Sequence, residues 1–193
     1  MAWIRRIALG SAVCAAMTVL PGCGVPSAGR TGVSVTEDGQ PLGVMLICHD
    51  HVDVALMYSD SDRAGEGSQA LGRWTRTRSA LTGYSTWPLS GAGEDGWSAR
   101  KPMAPLAPGR DYKLYGSTYD NSWSAGSVSF STEDLAALSP GQVRYLAGRV
   151  KGADADGQMT TSLAKFRATE CAHPVAGRQA YHGTGRPAVL TRR

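Results

Sequence analysis

The 193-residue sequence predicts an all-β fold with a short C-terminal α/β extension. From Val33 onward, short alternating or apolar segments are separated by Gly, Pro, Asp and Ser, a pattern typical of strands and turns. Gly43 to Cys48 is an almost continuous apolar run, as expected for a strand in the middle of a sheet. Helical spacing appears only late, at Met159, Leu163 and Phe166, and predicts a helix that runs up to Cys171.

The segments before residue 80 predict the first strands. Val33 to Thr36 alternates, and Val52 to Tyr58 forms a second buried strand. Along Leu71 to Arg78, period-two geometry directs Trp74, Arg76 and Arg78 to one face. Because neither face is fully apolar, we expect an edge strand, on which charges discourage pairing with another chain. An anion site at these arginines is the alternative.

The most specific internal motif is Leu106-Ala107-Pro108-Gly109, followed by Tyr112 and alternating apolar residues. It resembles the corner before the sixth strand of fibronectin type III and related immunoglobulin-like domains. The resemblance implies a β-sandwich over residues 33–132, in which Leu106 fills the core, Pro108-Gly109 turns the chain and the Tyr112 hydroxyl bonds back to the corner. Residues 119–125 would form the next loop and residues 126–131 a strand, with Val128 and Phe130 facing inward.

The chain continues beyond this resemblance. Thr132 to Leu138 offers an N-cap and first-turn acids for a short helix, and Ser139-Pro140-Gly141 ends it. Gln142 to Val150 can form a further strand. We expect this extension to pack on the sandwich, so that residues 32–172 make one domain.

The N-terminus indicates export. Arg5 and Arg6 precede an uncharged apolar stretch from Ile7 to Leu20, which is typical of a signal peptide over residues 1–22. A spanning helix needs roughly 20 apolar residues, and this run ends at Pro21. Export through the general pathway or the twin-arginine pathway stays open.

Leu20-Pro21-Gly22-Cys23 resembles the lipobox of bacterial lipoproteins. The resemblance implies cleavage before Cys23, a diacylglyceryl group on its sulfur, and a domain held by membrane lipid on the extracytoplasmic face of the cell membrane. Residues 23–31 would be a flexible linker, and residues 173–193 a disordered basic tail. Free secretion after cleavage nearby is the alternative.

Cys48 and Cys171 remain once the signal and the lipid site are set aside. In an oxidising compartment such a pair predicts a disulfide. Two buried thiols, or a metal site, are the alternatives.

Two groups of residues are candidate binding sites. His49 and His51 would point the same way on a continuous strand and suit zinc or copper, with His173 as a further ligand. Tyr119 and Trp123 lie in a polar loop where exposed rings can bind a sugar or peptide. Trp87 and Trp97 are better explained as structural cover for the sandwich, and the Asp154-Ala155-Asp156-Gly157 segment as a tight turn rather than part of a calcium loop.

No nucleophile elbow or ordered catalytic triad stands out in the sequence. Between Thr31 and Ala172 acidic residues slightly outnumber basic ones, which argues against a nucleic-acid partner. We therefore expect a non-catalytic binding or envelope-structural lipoprotein without a cofactor, whose partner is a cell-wall polymer or an envelope protein. The alternatives are a metal-binding lipoprotein that uses His49 and His51, and an extracytoplasmic enzyme with an unrecognised motif.

Overall fold

Strands dominate the protein. The computed structural model describes residues 24–59, 69–91, 96–100, 103 and 105–172. Within them the elements are β1 Ser27–Val35, β2 Pro41–Val52, β3 Val54–Ser59, β4 Gln69–Arg76, β5 Leu81–Pro88, β6 Trp97–Ala99, β7 Tyr112–Ser117, β8 Ser124–Phe130, α1 Thr132–Ala136, β9 Gln142–Leu146, β10 Gln158–Ser162 and α2 Leu163–Thr169. The predicted all-β fold with a small C-terminal α/β extension is confirmed.

The strands form two arms that meet at β1. One arm has the order β5-β2-β1-β9-β10, and the other has the order β6-β4-β3-β7-β8. β1 belongs to both because residues 27–30 pair in parallel with β8, whereas Gly32 and Val33 pair with β9. All ten strands therefore belong to one hydrogen-bonded network, folded over so that the arms face each other.

The main core lies between these arms. It combines buried side chains of β1, β2 and β5 with others from β3, β4, β6, β7 and β8. At its centre the Trp87 ring lies 4.7 Å from the Trp97 ring and 6.2 Å from the Trp74 ring. All three tryptophans are fully buried. Trp87 and Trp97 are structural, as expected, but they lie inside the core rather than as a cover over it.

A second, smaller core covers the opposite face of β2. Because side chains alternate along a strand, Met45 and Ile47 enter the main core while Val44 and Leu46 enter the second one. The second core is completed by β9 and α2, through Val143, Tyr145 and Phe166. Burial on both faces explains why this strand is a continuous apolar run.

The corner before β7 has the geometry that its motif implied. The Tyr112 hydroxyl accepts a hydrogen bond from the Ala107 amide at 2.7 Å and donates one to the Ala107 carbonyl at 3.2 Å. Leu106 packs against the main core, and Gly109 adopts a φ of +69° in the turn. Val128 and Phe130 are buried, as expected.

The C-terminal extension is fastened to β2 by a covalent bond. Cys48 and Cys171 form a disulfide that spans 123 residues of sequence. Beside it, Glu170 pairs with Arg30 of β1 and accepts a hydrogen bond from the Tyr145 hydroxyl at 2.8 Å. The predicted disulfide is present, and an ion pair supports the same junction.

Three local predictions were wrong. β1 begins at Ser27, inside the range expected to be a flexible linker, because its first residues pair with β2 and β8. β4 has β3 on one side and the three-residue β6 on the other, so it is not the outermost strand. Met159 lies in β10 rather than in the helix, which starts at Leu163.

Candidate binding surface

One end of the fold gathers the residues of interest. The register places the start of β1 beside the end of β2, and the starts of β3 and β8 beside the end of β7. Three segments therefore lie at the same end, and together we call them the β7–β8 end: residues 25–26, 49–53 and 118–123. The Ser124 amide links two of them, because it donates to the Pro26 carbonyl at 3.0 Å.

The loop between β7 and β8 is held by its own hydrogen bonds. The Thr118 amide donates to the Trp123 carbonyl at 3.1 Å, and the Trp123 amide donates to the Thr118 hydroxyl at 3.1 Å. Asn121 adopts a φ of +60°, a conformation that Asn tolerates better than most residues. The Asp120 carboxylate accepts from the Ser122 amide at 3.0 Å. Because these bonds already restrict the loop, binding of a partner would cost it little conformational entropy.

The two aromatic candidates have different surroundings. Tyr119 is 64% exposed, and its amide donates to the Asp53 carboxylate at 3.1 Å. Trp123 is half-buried and packs against the main core. Tyr119 is therefore available to a partner, whereas Trp123 mainly anchors the loop to the main core. Asp53 has a positioning role that the sequence did not reveal, since its partner is 66 residues away.

The pKa of Asp120 is strongly perturbed. Hydrogen bonds from the Ser122 amide, and from the Ser122 and Thr118 hydroxyls, lower the pKa of this carboxyl from 3.8 to about 2. These bonds favour the ionised form. The charge of Asp120 is thus tied to the conformation of the loop.

We predict that the loop contributes to acid sensitivity. A carboxyl whose pKa is lower in the folded chain stabilises the fold above its unfolded pKa of about 4, and this contribution is lost as the pH falls through about 2. Glu133 and Asp154 also have lowered pKa values and act in the same direction. Melting temperatures between pH 5 and pH 2 should therefore fall less steeply for Asp120→Asn than for the wild type. Parallel curves would contradict the assignment to Asp120.

The part of β2 that carries His49 and His51 is irregular. The pairing of β2 with β5 is irregular between Ile47 and Val52, and Asp50 has a φ of +54°. His51 instead pairs with Asp50 and lies 3.7 Å from the Asp53 carboxylate. Among the described residues, no group of three or more metal-capable side chains is assembled. The regular strand on which the two histidines would share a face is not present here. Metal binding by this pair stays a prediction, and His173 lies outside the described residues.

The Asp154 segment is a turn. One carboxylate oxygen of Asp154 accepts from the Asp156 and Gln158 amides, at 3.1 and 2.7 Å. The other accepts from Arg144 at 2.8 Å. Burial acts to raise the pKa of Asp154, but these hydrogen bonds and the Arg144 charge outweigh it and lower the pKa. Both oxygens are occupied within the protein, as the turn interpretation predicted.

Arg76, the last residue of β4, and Arg78, just beyond it, take part in packing and in a shallow groove. The Arg76 guanidinium lies over the Trp97 ring at 5.3 Å, and its Nε donates to the Ser79 carbonyl at 3.0 Å. Arg78 is exposed, and both arginines line an open groove beside β5. Stacking on a buried indole gives Arg76 a structural function.

The fold and the site define a class: an all-β domain with one disulfide and a preformed aromatic loop at one end. Comparison with protein-family models, curated proteins and solved structures finds no match to this chain. In the part that the structure describes, no helix is long and apolar enough to span a bilayer. The predicted signal peptide, Cys23 and the basic tail lie outside the described residues.

Proposed function

We propose that this chain is a membrane-anchored extracytoplasmic lipoprotein, attached through lipid on Cys23 and acting as a non-catalytic binding or envelope-structural module. The disulfide between Cys48 and Cys171 is the observation that carries the proposal. Structural disulfides form and persist in exported proteins and are rare in the cytosol. The bond therefore supports the export that the N-terminal sequence predicts.

The β7–β8 end supports a binding role over a catalytic one. Two of its carboxylates hold backbone rather than face an open position: Asp53 accepts from the Tyr119 amide and Asp120 from the Ser122 amide. Its most exposed large hydrophobic residue is an aromatic one, Tyr119. A rigid ring with a polar tip is suited to binding at a surface.

The test is the intact mass of the protein recovered from its native membrane fraction. We expect a chain that begins at Cys23, carries acyl groups and is two hydrogens short because of the disulfide. Cys23→Ser should release the protein from the membrane fraction, whereas the matched control Cys14→Ser should leave its mass and location unchanged. A wild-type protein that starts elsewhere and carries no lipid would overturn the proposal.

A further inference from the structure

The start of β1 limits how far the folded domain can lie from a lipid on Cys23. Val25 is two residues from that cysteine, and fully extended chain spans at most about 3.6 Å per residue, or about 7 Å in all. The polar layer on each side of a bilayer is roughly 5 to 7 Å thick. Since the acylated sulfur lies near the base of this layer, Val25 lies within the layer or at its outer edge.

Hydrogen bonds connect Pro26, the residue after Val25, to the aromatic loop. Pro26 accepts from the Ser124 amide at 3.0 Å, and Ser124 directly follows Trp123, whose carbonyl accepts from Thr118 at 3.1 Å. Tyr119 follows Thr118 at the tip of the loop. The segment that leads to the lipid and the loop that carries Tyr119 are thus adjacent at the same end of the fold.

Exposed apolar surface is concentrated at this end. In the part of the chain that the structure describes, the exposed large hydrophobic residues are Val25 at 49%, Tyr119 at 64% and Val150 at 50%. Two of these three lie at the β7–β8 end, and Val150 lies in the hairpin between β9 and β10. Tyrosine favours the boundary between lipid and water because its ring is apolar and its hydroxyl polar.

We propose that the surface bound by the β7–β8 end is the lipid bilayer itself, with Tyr119 and Val25 seated among the lipid headgroups. This inference rests on the proposed function, because it requires the lipid on Cys23. The contact is shallow, because the exposed carboxylates of Asp50 and Asp120 lie at the same end and stay hydrated. It fixes the orientation of the domain, with β1 rising away from the membrane.

Quenching by brominated lipid tests this orientation. The acylated full-length protein is reconstituted into phosphatidylcholine vesicles that carry bromine near the headgroup or deep in the acyl chains. Tyr119→Trp places a reporter at the proposed contact. Asp38→Trp is the matched control, because Asp38 is exposed in the turn after the nine-residue β1, about 30 Å away along the strand. The native tryptophans are common to both variants.

We expect shallow bromine to reduce the fluorescence of Tyr119→Trp more than that of Asp38→Trp, in which only the background of the native tryptophans such as Trp123 is quenched, and deep bromine to reduce it less. Equal quenching of the two variants on vesicles to which the protein sediments would overturn the inference and leave the lipid anchor standing. Retention by cell-wall polymer that is lost in Tyr119→Ala, without preferential quenching, would also overturn it. Failure of the purified native protein to carry lipid would instead refute the proposed function.

Discussion

Replacing both cysteines, Cys48→Ala with Cys171→Ala, is expected to lower the free energy of unfolding by about 4 to 5 kcal/mol. The disulfide closes a loop with a sequence separation of 123, so it removes a large part of the freedom of the unfolded chain. Domains of this kind have a total stability of roughly 5 to 15 kcal/mol. The loss is therefore a large fraction of the total stability.

Urea unfolding, followed by tryptophan fluorescence, measures this effect. The denatured variant lacks a cross-link and exposes more surface, so its dependence on urea should also be steeper than that of the wild type. Reductant provides the control: it should bring the wild type to the stability of the variant and leave the variant unchanged. A loss below about 1 kcal/mol would show that the reduced chain remains constrained by other means, since reported disulfide contributions range from about 0 to 5 kcal/mol.

The Arg30–Glu170 ion pair beside the disulfide gives the C-terminal extension a noncovalent attachment to the fold as well as a covalent one. Arg30 of β1 also donates to the Leu146 carbonyl of β9 at 2.8 Å, while Glu170 lies next to Cys171. Burial, the hydrogen bond to Glu170 and the charge of Glu170 together raise the pKa of Tyr145. The junction thus joins three strands and α2 through contacts that the sequence could not reveal.

Sequence reasoning succeeded where a local pattern has one physical solution. The Leu106 to Tyr112 corner is such a case, because a core residue, a Pro-Gly turn and a tyrosine hydroxyl satisfy one another within a few residues. The apolar run of β2 is another, since only a strand buried on both faces needs it. The resemblance to fibronectin type III and immunoglobulin-like domains stays a prediction.

The predicted linker shows why composition misled at β1. Ser27-Ala28-Gly29-Arg30 has the small, polar character of a flexible segment. In the structure Gly29 is instead required for packing, because a Cβ at this position would lie 2.0 Å from the Leu46 carbonyl oxygen. Glycine is required at position 29 by the close approach of Leu46, which lies 17 residues later in the chain. The residues next to Gly29 in the sequence do not indicate this contact.

The candidate site shows a similar limit of sequence reasoning. His49 and His51 share a face only if β2 is regular, and the left-handed Asp50 breaks that regularity. The sequence also gives no sign that Asp53 accepts a hydrogen bond from the Tyr119 amide, which is 66 residues away. Exposure of Tyr119 and support by Trp123 depend on the packing of the loop against the main core, which residue spacing does not encode.

Trp87→Ala is expected to lower the free energy of unfolding by about 3 to 5 kcal/mol. The indole lies between the rings of Trp74 and Trp97, and it covers Gly43 so closely that a Cβ there would lie 2.4 Å from it. Removing it opens a cavity at the centre of the main core, which the surrounding β-strands can fill only in part. Chemical denaturation measures the loss, and Tyr119→Ala is the surface control, with a change within about 0.5 kcal/mol.

Trp87→Phe separates the contribution of the ring from that of its N–H group. The Trp87 Nε1 is buried and has no hydrogen-bond partner in the described part of the protein. An unpaired buried donor costs about 1 to 3 kcal/mol, so phenylalanine recovers this amount while it loses part of the ring volume. The two effects offset each other, and we expect Trp87→Phe to cost less than half as much as Trp87→Ala. Equal losses for the two variants would mean that the indole N–H is satisfied in solution and that its bond helps to hold the core.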